Sequence, residues 1–222
     1  MTDPTITFDH VRAALALPDF DARAAWARLE LQPHPPRTAS LNPADYRRAA
    51  VLIPLYPDPA TGTLTLLLIR RTPDPGVHSG QVGFPGGAWE PGDPDDAATA
   101  LREACEEVGL CDSVSVFGCL TPLYIPPSRY RVTPVIGCLA ARPIWTPNPL
   151  EVAALLELSL PDLLDDSRKQ AEDWPLFGHT YRVPFYVVGG HKVWGATALM
   201  LSELEMRLKA VLYTVSGLTA GS

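Results

Sequence analysis

The segment from Leu101 to Leu110, Leu-Arg-Glu-Ala-Cys-Glu-Glu-Val-Gly-Leu, constrains this chain more than any other. On a helix, Leu101, Ala104, Cys105 and Val108 fall at i, i+3, i+4 and i+7 and form one apolar stripe that must face a core. The same period sets Glu103 three residues from Glu106 and four from Glu107, so three carboxylates converge beside the stripe. Arg102, four before Glu106, is placed to hold a carboxylate rotamer by a charge-assisted bond, and Gly109 supplies the stop. Three carboxylates this close repel one another and gain from a hard divalent cation, which predicts Mg²⁺ or Mn²⁺ as cofactor. Such an ion bridges phosphate oxygens and lowers the pKa of a bound water, so the helix predicts hydrolysis of a phosphoanhydride. Taken alone, a solvated acidic face with ordinary i,i+4 pairs accounts for it about as well.

What precedes the helix favours the chemical reading. The stretch Phe84-Pro-Gly-Gly-Ala-Trp-Glu-Pro-Gly-Asp-Pro-Asp-Asp is a strand end and a loop of residues that permit tight turns, leading into the helix. Backbone N–H groups at Gly86 and Gly87 in such a loop can approach phosphates. A lone Gly-Gly is only a turn, whereas this loop and this helix in this order form a joint signal.

The chain has 222 residues, enough for one domain with a well-buried core and terminal additions. We expect an N-terminal helical extension and Pro-rich linker over residues 1–46 and a hydrolase domain over 47–222. No stretch approaches the roughly 18 to 20 apolar residues of a spanning helix, and the acidic, Pro-containing start is unlike a secretory signal. The expectation is a cytoplasmic protein with no membrane partner. Its four cysteines form no CxxC pair and are expected to be reduced. A formal charge of −7 argues against general nucleic-acid binding and leaves a small-molecule partner. A homodimer is among the states left open.

Helical patterning covers Phe8 to Leu31 with a break at Pro18, and residues 33–38 read as a linker. Ala49 to Tyr56 and Thr63 to Arg71 are β-type runs joined by turn chemistry, a predicted hairpin. A loop is expected from Thr72 to Pro94, then the helix from Asp95 to Val108. Further strands are predicted at Val114 to Leu120, Tyr130 to Leu139 and Glu151 to Leu158, a late hairpin at Thr180 to Trp194, and a last helix over Ala196 to Val211. This order indicates α/β or α+β with a mixed sheet.

Gly87, then Arg102-Glu103-Ala104-Cys105-Glu106-Glu107-Val108-Gly109-Leu110, resembles the Nudix box, with fourteen residues between Gly87 and Arg102 where the box has thirteen. The early acidic position holds Asp93 in place of Glu. The flanks are similar to the coenzyme A pyrophosphatase branch: Leu67, Leu68, Arg71, Gly80, Phe84, Pro85, Gly86 and Gly87 match its upstream motif, as do His78 and Gln81. Tyr124 to Gly137, Pro147 to Val152 and Trp194 to Ala198 extend the likeness, which covers about Arg47 to Leu201. Ile69, Thr72 and Gly76 depart from the motif, and Gly76 stands where the branch has a second Arg.

The resemblance implies a Nudix-type mixed β-sheet sandwiched between helices. It implies metal ligation by Glu103, Glu106 and Glu107, and catalytic roles for Glu107, Glu106, Arg102 and Glu151. Substrate contacts are implied for Arg71, His78, Gln81, Gly86, Gly87 and Arg129. The implied reaction splits coenzyme A or its derivatives to 3′,5′-ADP and 4′-phosphopantetheine. Hydrolysis of another nucleoside diphosphate derivative such as ADP-ribose is the alternative that Gly76 keeps open, and a non-catalytic nucleotide-binding module of the same fold is the third.

Overall fold

The computed structural model describes residues 5–34, 46–73, 80–111, 114–126, 128–176 and 178–215; His78 and Gly76 lie outside them. Strand β1 (Arg47–Pro57) is the spine of the molecule. Ala50 and Leu52 to Tyr56 are buried without alternation, as in a strand covered on both faces. Along one edge β1 pairs in parallel with β7 (Tyr130–Cys138), from Arg47 opposite Tyr130 to Leu55 opposite Cys138. Along the other edge it takes two antiparallel partners in succession, β4 (Gly86–Ala88) at Ala49 to Val51 and β2 (Leu64–Arg71) at Leu55 to Pro57. Beyond β2 lie β3 (Val82–Gly83) and β8 (Val152–Ser159), and beyond β7 lie β5 (Ser115–Cys119) and β6 (Leu123–Ile125). A separate antiparallel sheet is built from β9 (Lys169–Leu176), β10 (His179–Val188) and β11 (His191–Val193).

Helices sandwich the large mixed sheet, as the sequence led us to expect. Helix α3 (Asp96–Val108) sets Ala100, Ala104 and Val108 against Ala50, Leu52, Leu67 and Ile69 on one face. On the other, Ile53, Leu55, Leu66 and Leu68 share a core with Leu201, Leu204 and Leu208 of α5 (Gly195–Val215) and with Val11 and Ala14 of α1 (Phe8–Leu15). Helix α2 (Ala22–Ala27) also packs on α5, and the short α4 (Leu160–Leu164) follows β8.

The expected hairpin is present, with Tyr56 opposite Thr65. Inside the expected loop from Thr72 to Pro94, β3 and β4 are added; they are short and Gly-rich, so they carry no side-chain period for a sequence to display. The expectation of reduced cysteines is corrected at one pair, since Cys105 and Cys111 are joined by a disulfide while Cys119 and Cys138 are free. Gly109 ends α3 at φ 73°, in the left-handed region, and the reversal brings the two Cα atoms to 4.4 Å. No described helix is long and apolar enough to cross a membrane.

Helix α5 carries fully buried acids. Glu203 accepts from Arg207 Nε (3.0 Å), Trp26 Nε1 (3.2 Å), and Thr121 N (3.1 Å) and Oγ1 (2.9 Å), which ties α2 and the loop before β6 to one carboxylate. Glu203→Ala would leave the buried Arg207 without its counter-ion and three further donors, Trp26 Nε1, Thr121 N and Thr121 Oγ1, without this acceptor. We expect a stability loss of about 3–5 kcal/mol, read as a lowered urea midpoint with an unchanged slope.

Candidate active site

Two successive glycines make the site, each for its own reason. Gly86 sits at φ 157°, and a Cβ there would lie 2.4 Å from Ala50 O and 2.5 Å from Val51 Cα, so β4 joins β1 only with Gly at this point. At Gly87 a Cβ would fall 2.4 Å from Glu103 Oε1, because the Glu103 carboxylate occupies the space that a side chain would take. The Gly86 N–H donates to Glu107 Oε2 at 2.8 Å. Arg71, at the end of β2, donates from Nη2 to Gly86 O at 2.7 Å and pairs with Glu107 Oε1 at 3.1 Å.

Glu107 is only 1% exposed. Burial pushes its pKa up to about 7, Arg71 and the Gly86 N–H pull the other way, and the charges of Glu103 and Glu151 push it further up. Burial also raises the pKa of Glu103, against the pull of Arg102, and Glu106 adds to the rise. Glu106 is the exposed member of the three, and its Oε2 is 3.3 Å from Arg102 Nη1.

Arg102 is held from behind. Asp93 takes it through both oxygens, Nε to Oδ1 at 3.2 Å and Nη2 to Oδ2 at 3.1 Å, while Nη2 also reaches Ala88 O at 2.9 Å. Nη1 then faces Glu103 Oε1 at 3.0 Å. Asp93 further accepts from Thr99 Oγ1 and Glu90 N, both at 3.0 Å. The extra loop residue therefore does not displace the early acid. Sequence reasoning left it without a role, although an acid nine residues before Arg102 on a turn into the helix was the available signal.

The structure thus brings Arg71, Gly86, Gly87, Arg102, Glu103, Glu106 and Glu107 together. Glu151 adds its charge at Glu107 from just before β8, its carboxylate accepting from Asn148 Nδ2 at 2.9 Å. Asn148 N donates to Glu107 O at 2.9 Å, which binds that loop to the last turn of α3. Gln81 contributes its carbonyl to Arg71 N at 3.0 Å between β2 and β3. Arg129 stands apart at the start of β7, exposed and at φ 55°. His78 is outside the described residues.

Among the described residues no three His, Cys, Asp or Glu side chains are grouped tightly enough to hold an ion, and Arg71 and Arg102 pair with Glu107 and Glu103. The donor set nonetheless fits a hard divalent cation. Glu103, Glu106, Glu107 and Glu151 interact closely enough for like charge to raise the proton affinity of Glu103 and Glu107, a cost that a divalent cation relieves.

An acidic helix thus lies against a Gly-Gly strand on a mixed sheet between helices. The NUDIX domain family model matches residues 45–174. The Nudix hydrolase NudL of Photorhabdus laumondii, described as uncharacterized, is 39% identical over 88% of this chain and 99% of its own length. That of Pectobacterium atrosepticum is 40% identical over 88% and 96%. The crystal structure of RenU, a Nudix hydrolase from M. smegmatis, has the same fold, with TM-score 0.50 and 21% identity over 76% of this chain and 87% of that one. The chain belongs to the Nudix family, and it is a pyrophosphohydrolase of that family.

The pairing with Arg102 holds the Asp93 pKa down at about 2. A depressed carboxylate contributes stability that is complete above its unfolded pKa and is lost as pH falls through the folded value. Stability should therefore decline from about pH 4 to about pH 2, and Asp93→Asn should remove part of that slope while lowering stability at pH 7. Urea midpoints measured across pH 2 to 7 for both proteins check this; identical slopes would contradict the clamp.

Proposed function

We propose that this Nudix hydrolase splits coenzyme A or its derivatives at the diphosphate, giving 3′,5′-ADP and 4′-phosphopantetheine, as a cytoplasmic enzyme using Mg²⁺ or Mn²⁺. The observation that carries the reading is the buried Glu107 carboxylate, which shares the Gly86–Gly87 strand with Glu103 and meets a single guanidinium. Glu103, Glu106 and Glu107 would hold the ion. When bound, the ion supplies neutralisation of the bridging phosphates and acidification of a water.

The remaining work falls to the chain's own residues. Arg102, clamped by Asp93, fixes the Glu103 carboxylate beside Gly87. Glu107, held between the Gly86 N–H and Arg71, would be ionised as a ligand once the cation is bound, and Glu151 is a base of the same loop cluster in this reading. Arg71 suits a phosphate oxygen through its planar fork. Gln81, His78 and Arg129 complete the substrate contacts in this reading, whereas Gly86, whose N–H is given to Glu107, and Gly87, paired with Ala50, seat the acids instead of meeting phosphate as the sequence led us to expect. Support for coenzyme A comes from the motifs flanking the box, and Gly76, where those motifs have Arg, keeps ADP-ribose open as a second reading.

Glu107→Gln keeps the shape and removes the charge. Its turnover, and that of Glu103→Gln, should fall by about two to four powers of ten. Full activity in both variants would remove these residues from the mechanism. Substrate choice is tested separately, by steady-state hydrolysis of coenzyme A, its thioesters, ADP-ribose, NADH and dinucleoside polyphosphates with each metal. We expect coenzyme A or a thioester to give the highest kcat/KM; a far higher value for ADP-ribose would replace the substrate and leave the reaction class standing.

A further inference from the structure

The start of β7 and the facing start of β1 concentrate positive charge in a chain whose formal charge is −7. Arg48 and Arg131 are opposite one another in the parallel register. Both bond Asp96, Arg48 Nη2 at 2.6 Å and Arg131 Nη2 at 3.0 Å, so two guanidiniums share one carboxylate. Arg129, two residues before Arg131, is exposed and has no carboxylate partner among the described residues. Arg131 Nε is buried without an acceptor among them. Two guanidiniums that divide one carboxylate between them keep N–H donors in hand, an arrangement that suits a phosphate.

Aromatic rings border the same place. The Trp89 ring lies under Arg48, with Cζ 5.1 Å from its centroid. Tyr124, 47% exposed, is opposite Arg131 in the β6–β7 register and meets Tyr46 edge to face at 4.7 Å. Strand alternation, with the shared bond to Asp96 of α3, sets Arg48, Arg131 and Tyr124 on the face of the sheet that α3 covers. Arg48 shares a face with Ala50, Ala50 is opposite Gly87, and Glu103 fills the space over Gly87. Trp89 is two residues beyond Gly87, about 7 Å along the strand direction, a separation comparable with the reach from a diphosphate across a ribose.

We infer that this cluster binds the nucleotide end of the substrate. Tyr124 and Trp89 border the base, and Arg129 with Arg131 takes a phosphate monoester on the ribose, so that a nucleoside 3′,5′-bisphosphate is preferred over a monophosphate. This rests on the reading of Glu103, Glu106 and Glu107 as the diphosphate-splitting centre. It gives the chain a route to a second phosphate that does not pass through position 76.

The test is equilibrium binding of 3′,5′-ADP and of 5′-AMP to the full chain in EDTA, by calorimetry, so that no turnover enters. The bisphosphate should bind about ten-fold or more tightly than the monophosphate. Arg129→Asn, chosen because Asn tolerates the left-handed backbone of this position, should bring that ratio below about three-fold, and Arg129→Lys should restore part of it. Tyr124→Ala should weaken both nucleotides alike. Arg47→Ala, whose guanidinium lies over Tyr130 on the opposite face, should change neither. Equal binding of the two nucleotides, or a preference that survives Arg129→Asn in a protein with unchanged circular dichroism, overturns the inference. Glu103→Gln and Glu107→Gln separate it from the reading beneath it. A lost preference in a chain whose hydrolysis still depends on those acids sinks the subsite alone. A retained preference in a chain whose hydrolysis ignores them sinks the assignment of the acids and leaves the nucleotide site standing.

Discussion

The carboxylate of Glu107 is the constraint around which the catalytic half of the molecule is built. An ionised carboxylate out of water costs several kcal/mol unless its lone pairs are met. Here two donors meet it, the Gly86 N–H and Arg71 Nη2, and they come from different strands. For the first, β4 must lie flat against β1, which only Gly permits at position 86. For the second, β2 must end where Arg71 can also reach the Gly86 carbonyl. The order of β1, β2 and β4, and the seating of α3 across them, are thus tied to one buried charge.

How much of this a sequence can display depends on whether the information sits in side-chain periodicity. The α3 stripe and its acids were legible because a helix of period 3.6 sorts Leu101, Ala104, Cys105 and Val108 from Glu103, Glu106 and Glu107. The strands with apolar runs, such as Ala49 to Tyr56, were legible from a short unbroken apolar stretch bounded by turn chemistry, with no period needed. Residues 82–88 were not: β3 and β4 are fixed by backbone pairing and by the absence of side chains. The docking of α1 and α2 on α5 was hidden too, since it runs through contacts such as Trp26 to Glu203 that join residues 177 apart. The Cys105–Cys111 bond depends on the left-handed turn at Gly109, which Gly allows but does not announce. At the site, Arg102 with its acids was legible as an i,i+4 pattern, whereas the clamp from Asp93 needed the geometry of the turn.

The molecule holds a second class of buried acid, and the contrast sharpens the case for the first. Glu205 on α5 is fully buried, yet Lys169 and Lys209 each reach it at 2.6 Å and the Tyr186 hydroxyl at 2.6 Å. Burial works to raise its pKa, but these bonds outweigh burial and the net shift is downward. The packing around Glu205 is complete: the charge is met by opposite charge and the group stays ionised. Glu107 is buried as deeply, but it has one guanidinium for a partner and two acidic neighbours that oppose it, and its pKa rises to about 7. A carboxylate that serves packing alone gains nothing from like charges beside it. Evolution of a stable fold alone would favour the arrangement seen at Glu205, where loss of ionisation is never at issue. The cluster at Glu107 is left under-neutralised by its protein partners, a cost that a divalent cation held there would relieve.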